Sequence, residues 1–469
     1  MSQFSTPWRP GKTVEYHGLS AVIVGLARTV AAIAAPILRR WAAPIFFGGI
    51  GFGVVSVWVI ALLSEAFLAE HLFFRDLLVV IGVTLFMAQV PLFAIWWERK
   101  VAAHIQSRCG PMRVGGWHGW AQSFADAIKL LCKEDLVPDG ADKPLFRLAP
   151  YITLTPVVVA FLALPFGTYW VFRNLDVGLL LVLAMLGVEV FGVILAGWAS
   201  NSKWALFGAM REACQMVSYE IPMGLALLLP ILTVGSLDLS QVGAAQAGGW
   251  PSWLVFQSPF LFVAAGVYYM ASLASCKRAP FDLPEGESEL VAGFLTEYSG
   301  MRWSLFFFAE YAAMFVVSAL AVIIFFGAWY SPLPYSWALA TEGHEGAGLI
   351  LRRAVNGMIF AGPLWFVVKS FMLVYVQLWL RWTLPRIRID QVLYACIQVL
   401  LPMSMFLLLG HTLWQLWVAP DSVLGTASNV VLALIGGAAL VYALWIIAKA
   451  RWHRWRLVGN LGVELLPGS

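Results

Sequence analysis

Residues 258–275, SPFLFVAAGVYYMASLAS, and 304–328, SLFFFAEYAAMFVVSALAVIIFFGA, enclose the segment 276–303, CKRAPFDLPEGESELVAGFLTEYSGMRW. Each outer run is apolar over roughly the 20 residues a helix needs to cross a bilayer. Between them lie five carboxylates, Asp282, Glu285, Glu287, Glu289 and Glu297, in a chain with only 26 acids among 469 residues. A segment this acidic repels itself. Lys277, Arg278 and Arg302 compensate part of the charge, and water, cations, protons or a partner protein must supply the rest. The simpler reading is an ordinary polar loop, because connections are where charges normally collect.

Working outward, the chain is 61% hydrophobic and 14% aromatic, more than a soluble domain needs for its core. Apolar runs predict an all-α polytopic membrane bundle with spans near 44–64, 77–97, 150–170, 178–199, 212–235, 258–275, 304–328, 357–379, 392–418 and 427–448, ten transmembrane helices in all. With both termini cytoplasmic, alternate loops hold 25 of the 30 Lys and Arg residues. The opposite side holds Arg75, Arg173, Arg352 and Arg353, and Lys369 lies inside a span. An error of one span would scramble this alternation. The net charge of +4 therefore reflects orientation in the membrane, and no nucleic-acid footprint is expected.

The five cysteines, at 109, 132, 214, 276 and 396, form no CxxC pair and no metal spacing, so iron–sulfur and zinc sites are not expected. Only His411 of the seven histidines falls within an expected span, which argues against paired axial haem ligands. Redox chemistry served by this chain would need its electron carriers elsewhere.

The leader, residues 1–43, contains SAVIVGLARTVAAIAAPILRR, an Ala-rich stretch interrupted by Arg28 and Pro36. It reads as an interfacial helix and not as an eleventh span or a signal peptide. In WHGWAQSFADAIKLLCKED, residues 117–135, Trp120, Phe124, Ala127, Ile128 and Leu131 recur at helical spacing, while Gln122, Asp126, Lys129 and Lys133 lie off that face. This predicts a short amphipathic helix along the cytoplasmic surface. Glu98 and Arg99, after Trp96 and Trp97, mark an exit to water.

Glu189, Glu220 and Glu310 stand well inside apolar runs, with Lys369 as their basic counterpart. A charge near the bilayer centre costs roughly 2.5–3.5 kcal/mol on insertion scales, so such residues line a polar interior, pair or titrate. A buried structural ion pair, for example Lys369 with one acid, is the plainer account of any one of them. Glu212 reads as an interfacial residue at the mouth of its span. Pro222 and Gly224 could loosen the helix after Glu220. Arg381, Arg386 and Arg388 cluster with Asp390, where lipid phosphate is the default partner and a partner subunit or the acidic segment are the alternatives.

Five stretches carry a resemblance: ERKVAAHIQSRCGPMRVG (98–115), ADAIKLLCKEDLVP (125–138), AGWASNSKWALFGAMREACQMVSYEIPMGLAL (196–227), RAPFDLPEGESELVAGFLTEYSGMRWSLFFFAEY (278–311) and LPRIRIDQVLYACIQVLLP (384–402). In order and content they resemble the H subunit of bacterial NADH:quinone oxidoreductase, whose mitochondrial counterpart is subunit 1 of respiratory complex I. The resemblance covers about residues 77–418. It leaves 1–76 and 419–469 as extensions that each add one transmembrane helix.

The resemblance implies a proton-translocating complex of the bacterial inner membrane in which this chain forms a quinone chamber and carries no haem, flavin, iron–sulfur cluster or metal, quinone being the substrate. The implied partners are a quinone-capping subunit, a terminal iron–sulfur subunit, antiporter-like membrane subunits and membrane lipid. It assigns Glu98, Arg99, Arg108, Arg113, Asp126 and Arg278 to the chamber and Asp282, Glu285, Glu287, Glu289 and Glu297 to its acidic loop. Glu189, Glu220, Glu310 and Lys369 are the expected proton relay. Met112 stands where the family usually has Asn, and the 236–257 and 329–356 loops are long.

Three rival readings differ in what they require. A membrane component of a hydrogenase or another dehydrogenase complex would differ in its partners. A stand-alone ion transporter would show internal repeats and paired broken helices, and no convincing repeat is found. A passive anchor would tolerate apolar replacement of its buried charges.

Overall fold

The computed structural model describes residues 72–115, 117–167, 171–172, 175–284, 286–332, 362–418 and 425–438, with Tyr442 and Trp445. Among these the chain is helical throughout, and seven helices are long and apolar enough to cross a membrane. In chain order the elements are α1 (Leu72–Ile105), α2 (Gln122–Cys132), α3 (Lys143–Ala163), α4 (Gly178–Ala199), α5 (Lys203–Val234), α6 (Pro259–Ser275), α7 (Gly300–Phe325), α8 (Gly362–Thr383), α9 (Ile389–Trp417) and α10 (Gly425–Ala438). Eight of the ten expected spans fall on α1 and α3 to α9. The ninth, 427–448, is described only in part, as α10. The first, 44–64, lies outside the described residues, as do the leader helix and most of the 329–356 loop.

The largest departures are at helix boundaries. α3 begins at Lys143, not near 150, because Asp142 caps it and Pro144 suits its first turn. α5 begins at Lys203, nine residues ahead of the expected span, and this changes the meaning of Glu212. α1 runs on to Ile105, past Trp97, so Glu98 is not an exit to water but a buried residue. The 236–257 connection folds into the short helices Leu239–Ala244 and Leu254–Gln257. In α9 the turns Tyr394–Leu400 widen to π geometry just ahead of Pro402, which has no N–H to return to the preceding turn.

α7 is the axis of the bundle. Every residue from Ala309 to Phe325 is buried, as expected of a helix that is apolar on all sides. Its small residues Ala309, Ala312, Ala313, Ala319 and Ala321 let neighbours approach closely. Its carbonyls also anchor other elements: the Tyr268 hydroxyl donates to Val317 O at 2.9 Å and Gln246 Nε2 to Ile323 O at 2.7 Å. α2 forms where the periodicity predicts a helix: Ile128 and Leu131 are exposed on its apolar side, while Asp126 on the other face bonds Arg99 of α1 at 2.5 Å. An exposed apolar face of this kind suits a helix resting on a membrane surface.

α3 and α4 meet at Gly192, where a Cβ would fall 2.6 Å from Thr153 N and closer still to Thr153 Oγ1. Gly192→Ala is therefore expected to destabilise the protein by about 1–3 kcal/mol, as overpacking does. Because backbone is involved, adding Thr153→Ala should fail to restore the melting temperature of the purified protein. Full rescue by Thr153→Ala would show that the contact is only side-chain crowding.

Candidate functional site

The site forms where the acidic segment leaves α6. Its first two cations, Lys277 and Arg278, are almost fully buried and turn to different acids. Arg278 Nη1 lies 3.1 Å from Glu98 Oε2 on α1, and its Nε lies 2.8 Å from Glu310 Oε1 on α7. The guanidinium stacks 4.2 Å over the Tyr311 ring, whose hydroxyl donates to Glu98 Oε2 at 2.5 Å. Arg381, at the end of α8, reaches Glu98 Oε1 at 2.8 Å. One arginine fork thus ties α1 to α7, and a second cation brings in α8.

Lys277 faces the opposite way. Its Nζ lies 3.1 Å from Glu189 Oε1 on α4 and 3.7 Å from Glu212 Oε1 on α5. Burial opposes its charge, but Glu189, Glu212 and Glu310 together outweigh burial and hold this lysine above the ordinary range, so it stays protonated. Beside it, Gln215 Nε2 donates to Ala274 O at 2.7 Å and Phe281 O at 3.0 Å, fastening both ends of the turn to α5.

The rest of the acidic segment is pinned from outside. Glu289 bonds Arg211 at 2.5 Å, and that hydrogen bond holds the exposed Glu289 carboxyl below the usual range. Ile387 N donates to Pro280 O at 3.1 Å, and a Cβ at Gly286 would meet Arg386 Nη2 at 2.6 Å. The Arg381–Arg386 region therefore meets this segment and is not left to lipid. Asp282 and Glu297 are half-buried in it. Glu285 and the Glu287 side chain lie outside the described residues.

The structure thus gathers Glu98, Arg278, Glu189 and Glu310, with Arg99 and Asp126 paired alongside. Arg108 and Arg113 are exposed in the loop after α1 and do not reach the cluster, Arg108 Nε bonding Gln106 at 2.6 Å. Glu220 is half-buried two turns beyond Glu212, its carboxyl beside Gly187 of α4. Lys369 is remote: its Nζ donates to the carbonyls of Phe326, Gly327, Ala328 and Tyr330, at 2.8, 3.2, 3.1 and 2.7 Å, around the C-terminus of α7. It has no acid partner among the described residues, so the alternative account of it as half of a buried ion pair does not hold. Glu212 corrects the sequence reading in the other direction: it is 1% exposed, not interfacial. An earlier start for α5, read from the polar run Ser200–Asn201–Ser202 ahead of Lys203, would have placed it inside the span.

A family model described as NADH dehydrogenase matches residues 76–412, well over half of the chain. The NADH-quinone oxidoreductase H subunit of Chlorobium luteolum is 44% identical over 328 residues, 70% of this chain and 85% of the relative. The chain belongs to the family of NADH-quinone oxidoreductase H subunits. The family member of Anaeromyxobacter dehalogenans is 44% identical over 360 residues, covering 76% and 84% of the two chains. The H 2 subunit of Cytophaga hutchinsonii is 41% identical over 356 residues, covering 70% and 95%. The chain is thus a membrane component of a complex I-type oxidoreductase, and the buried cluster lies wholly inside the matched region.

Arg278 is the fork on which the cluster of this H-subunit family member turns. Arg278→Met would leave the buried Glu310 without its salt-bridge partner and with only the more distant Lys277, whereas Glu98 keeps Arg381 and Tyr311. The expected cost is about 3–5 kcal/mol, read as a lower melting temperature and less assembled complex. Adding Glu310→Gln to Arg278→Met should restore most of the loss. If the double variant is no better than the single, Glu310 is not the residue that Arg278 stabilises.

Proposed function

We propose that this chain forms the membrane-side wall of the quinone chamber in a proton-translocating NADH:quinone oxidoreductase, and that its buried acids couple quinone reduction to proton movement. The observation that carries the reading is the Arg278 fork, where Glu98 and Glu310, from helices far apart in sequence, meet at the root of the acidic segment. The chamber would be bounded by Glu98, Arg99, Arg108, Arg113, Asp126 and Arg278. The exposed Arg108 and Arg113 suit a surface that a hydrophilic quinone-capping subunit covers.

In this reading the chain holds no redox centre of its own. Electrons come from the terminal iron–sulfur subunit, and a quinone that accepts two electrons must also take up two protons to become a quinol. Until then it is an anion facing Asp282, Glu285, Glu287, Glu289 and Glu297. Like charges at close range in a low-dielectric site interact strongly, so the segment must take up protons or shift. Because the segment begins at Lys277 and Arg278, any shift pulls on Glu98, Glu189, Glu212 and Glu310 together. Glu220, half-buried beyond Glu212, is the next acid outward, and Lys369 lies at the far end of α7. Antiporter-like membrane subunits would receive the protons. The complex would sit in a bacterial inner membrane with both termini of this chain cytoplasmic, the orientation that places the basic loops inside.

The test is Glu220→Gln in the assembled complex. The variant should oxidise NADH with quinone as acceptor at a rate near that of the unmodified complex, while protons translocated per NADH, measured in proteoliposomes, fall by more than half. Unchanged stoichiometry in fully assembled complex would overturn the coupling role.

A further inference from the structure

The buried charges divide into two halves that differ in balance. Around Arg278, the acids Glu98 and Glu310 face the cations Arg278 and Arg381. Asp282, half-buried at the rim of this half, is itself partnered. Around Lys277, two acids, Glu189 and Glu212, face one cation. The lysine sits closer to Glu189 and hydrogen-bonds it, whereas both oxygens of the Glu212 carboxyl are buried with no hydrogen-bond partner. The other groups turned to this spot bring no second cation to Glu212: the Tyr219 hydroxyl of α5 bonds Ser275, Cys276 is a buried thiol at the end of α6, and Glu310, which also acts on Lys277, is itself paired with Arg278. An ionised carboxylate with no donor and a half share of one ammonium is among the costliest groups a protein interior can hold, and one proton removes the excess charge.

We infer that the Lys277 pocket is a one-proton site in which Glu212 carries the proton and Glu189 pairs with Lys277. The site stands in its own right; its use in coupling rests on the function proposed above. Placed between the acidic segment and Glu220, it would hold a proton one step before the residue that the coupling reading makes the next acid outward. Along α5, Glu220 lies eight residues beyond Glu212, about 12 Å at 1.5 Å per residue.

The test compares the resting, assembled complex with variants by infrared difference spectroscopy and by thermal melting. Unmodified complex minus Glu212→Gln should show the C=O stretching band of one protonated carboxyl group, displaced in heavy water. Glu212→Asp should keep a band at a changed position. Glu212→Gln should melt with the unmodified complex, because an amide replaces a neutral acid of the same shape, whereas Glu189→Gln, which strips Lys277 of its ionised partner, should melt lower. Absence of the band, its loss in Glu189→Gln but not in Glu212→Gln, or a melting loss in Glu212→Gln as large as in Glu189→Gln would each overturn the inference. These readouts are taken without turnover. A failure of the coupling reading would instead show in proton stoichiometry and leave the resting band in place.

Discussion

A cation inside a membrane bundle must be matched, and here two consecutive cations are matched from four different helices. Lys277 and Arg278 follow directly on the last turn of α6, so their backbones are fixed by that helix and by the Gln215 bonds to Ala274 and Phe281. Their side chains diverge, one toward α4 and α5, the other toward α1 and α7. The consequence is mechanical as well as electrostatic. Apolar side chains are no better matched to each other than to lipid tails, and these four helices gain a polar centre whose disruption leaves charges stranded. The position of the acidic segment and the packing of the bundle are therefore one problem with one solution.

Much of this architecture is legible in the amino-acid order alone. Runs of apolar residues locate the long helices because a bilayer enforces both length and composition, and the expected span 178–199 agrees with α4 to the residue. Glu189 and Glu310 stand out because an acid in an apolar run needs a partner. What cannot be read is the partner. Lys277 and Glu189 are 88 residues apart, and Arg278 and Glu98 are 180 apart, and no local pattern encodes such a pairing. Glu212 escapes the sequence reading for a different reason. Hydropathy finds the apolar centre of a helix and not its beginning, so the polar first turns of α5 look like interface. A residue nine positions inside the helix then looks like one at its mouth.

Lys369 teaches the complementary lesson. Its burial is legible as a charge inside a span, and an acid is the natural partner to expect. Instead it closes the turn that follows α7, where the backbone carbonyls of residues 326–330 converge and the helix dipole presents negative charge. Four backbone oxygens and the face of Trp253, 4.4 Å away, take the place of a carboxylate. Sequence shows where a charge is costly, and only the fold shows whether side chain or backbone meets that cost.

This difference in partner sorts the buried charges by what they can do. A carbonyl accepts a hydrogen bond but does not exchange protons, so the Lys369 cage has one arrangement and acts as a fixed end for α7. A carboxylate can change its charge, so the Lys277 and Arg278 clusters have more than one state available. Of these two, the Arg278 half begins balanced: altering it means breaking a fork that holds α1 and α7 together. The Lys277 half begins with one acid in excess, so a proton can be held or released at Glu212 while Glu189 stays on the lysine. The bundle thus has a rigid axis in α7, held at one end by backbone and at the other by an arginine fork, with its adjustable charge set beside that axis, between α4 and α5. An acidic segment tethered to both cations can press on the adjustable half while the fork keeps the helices in place.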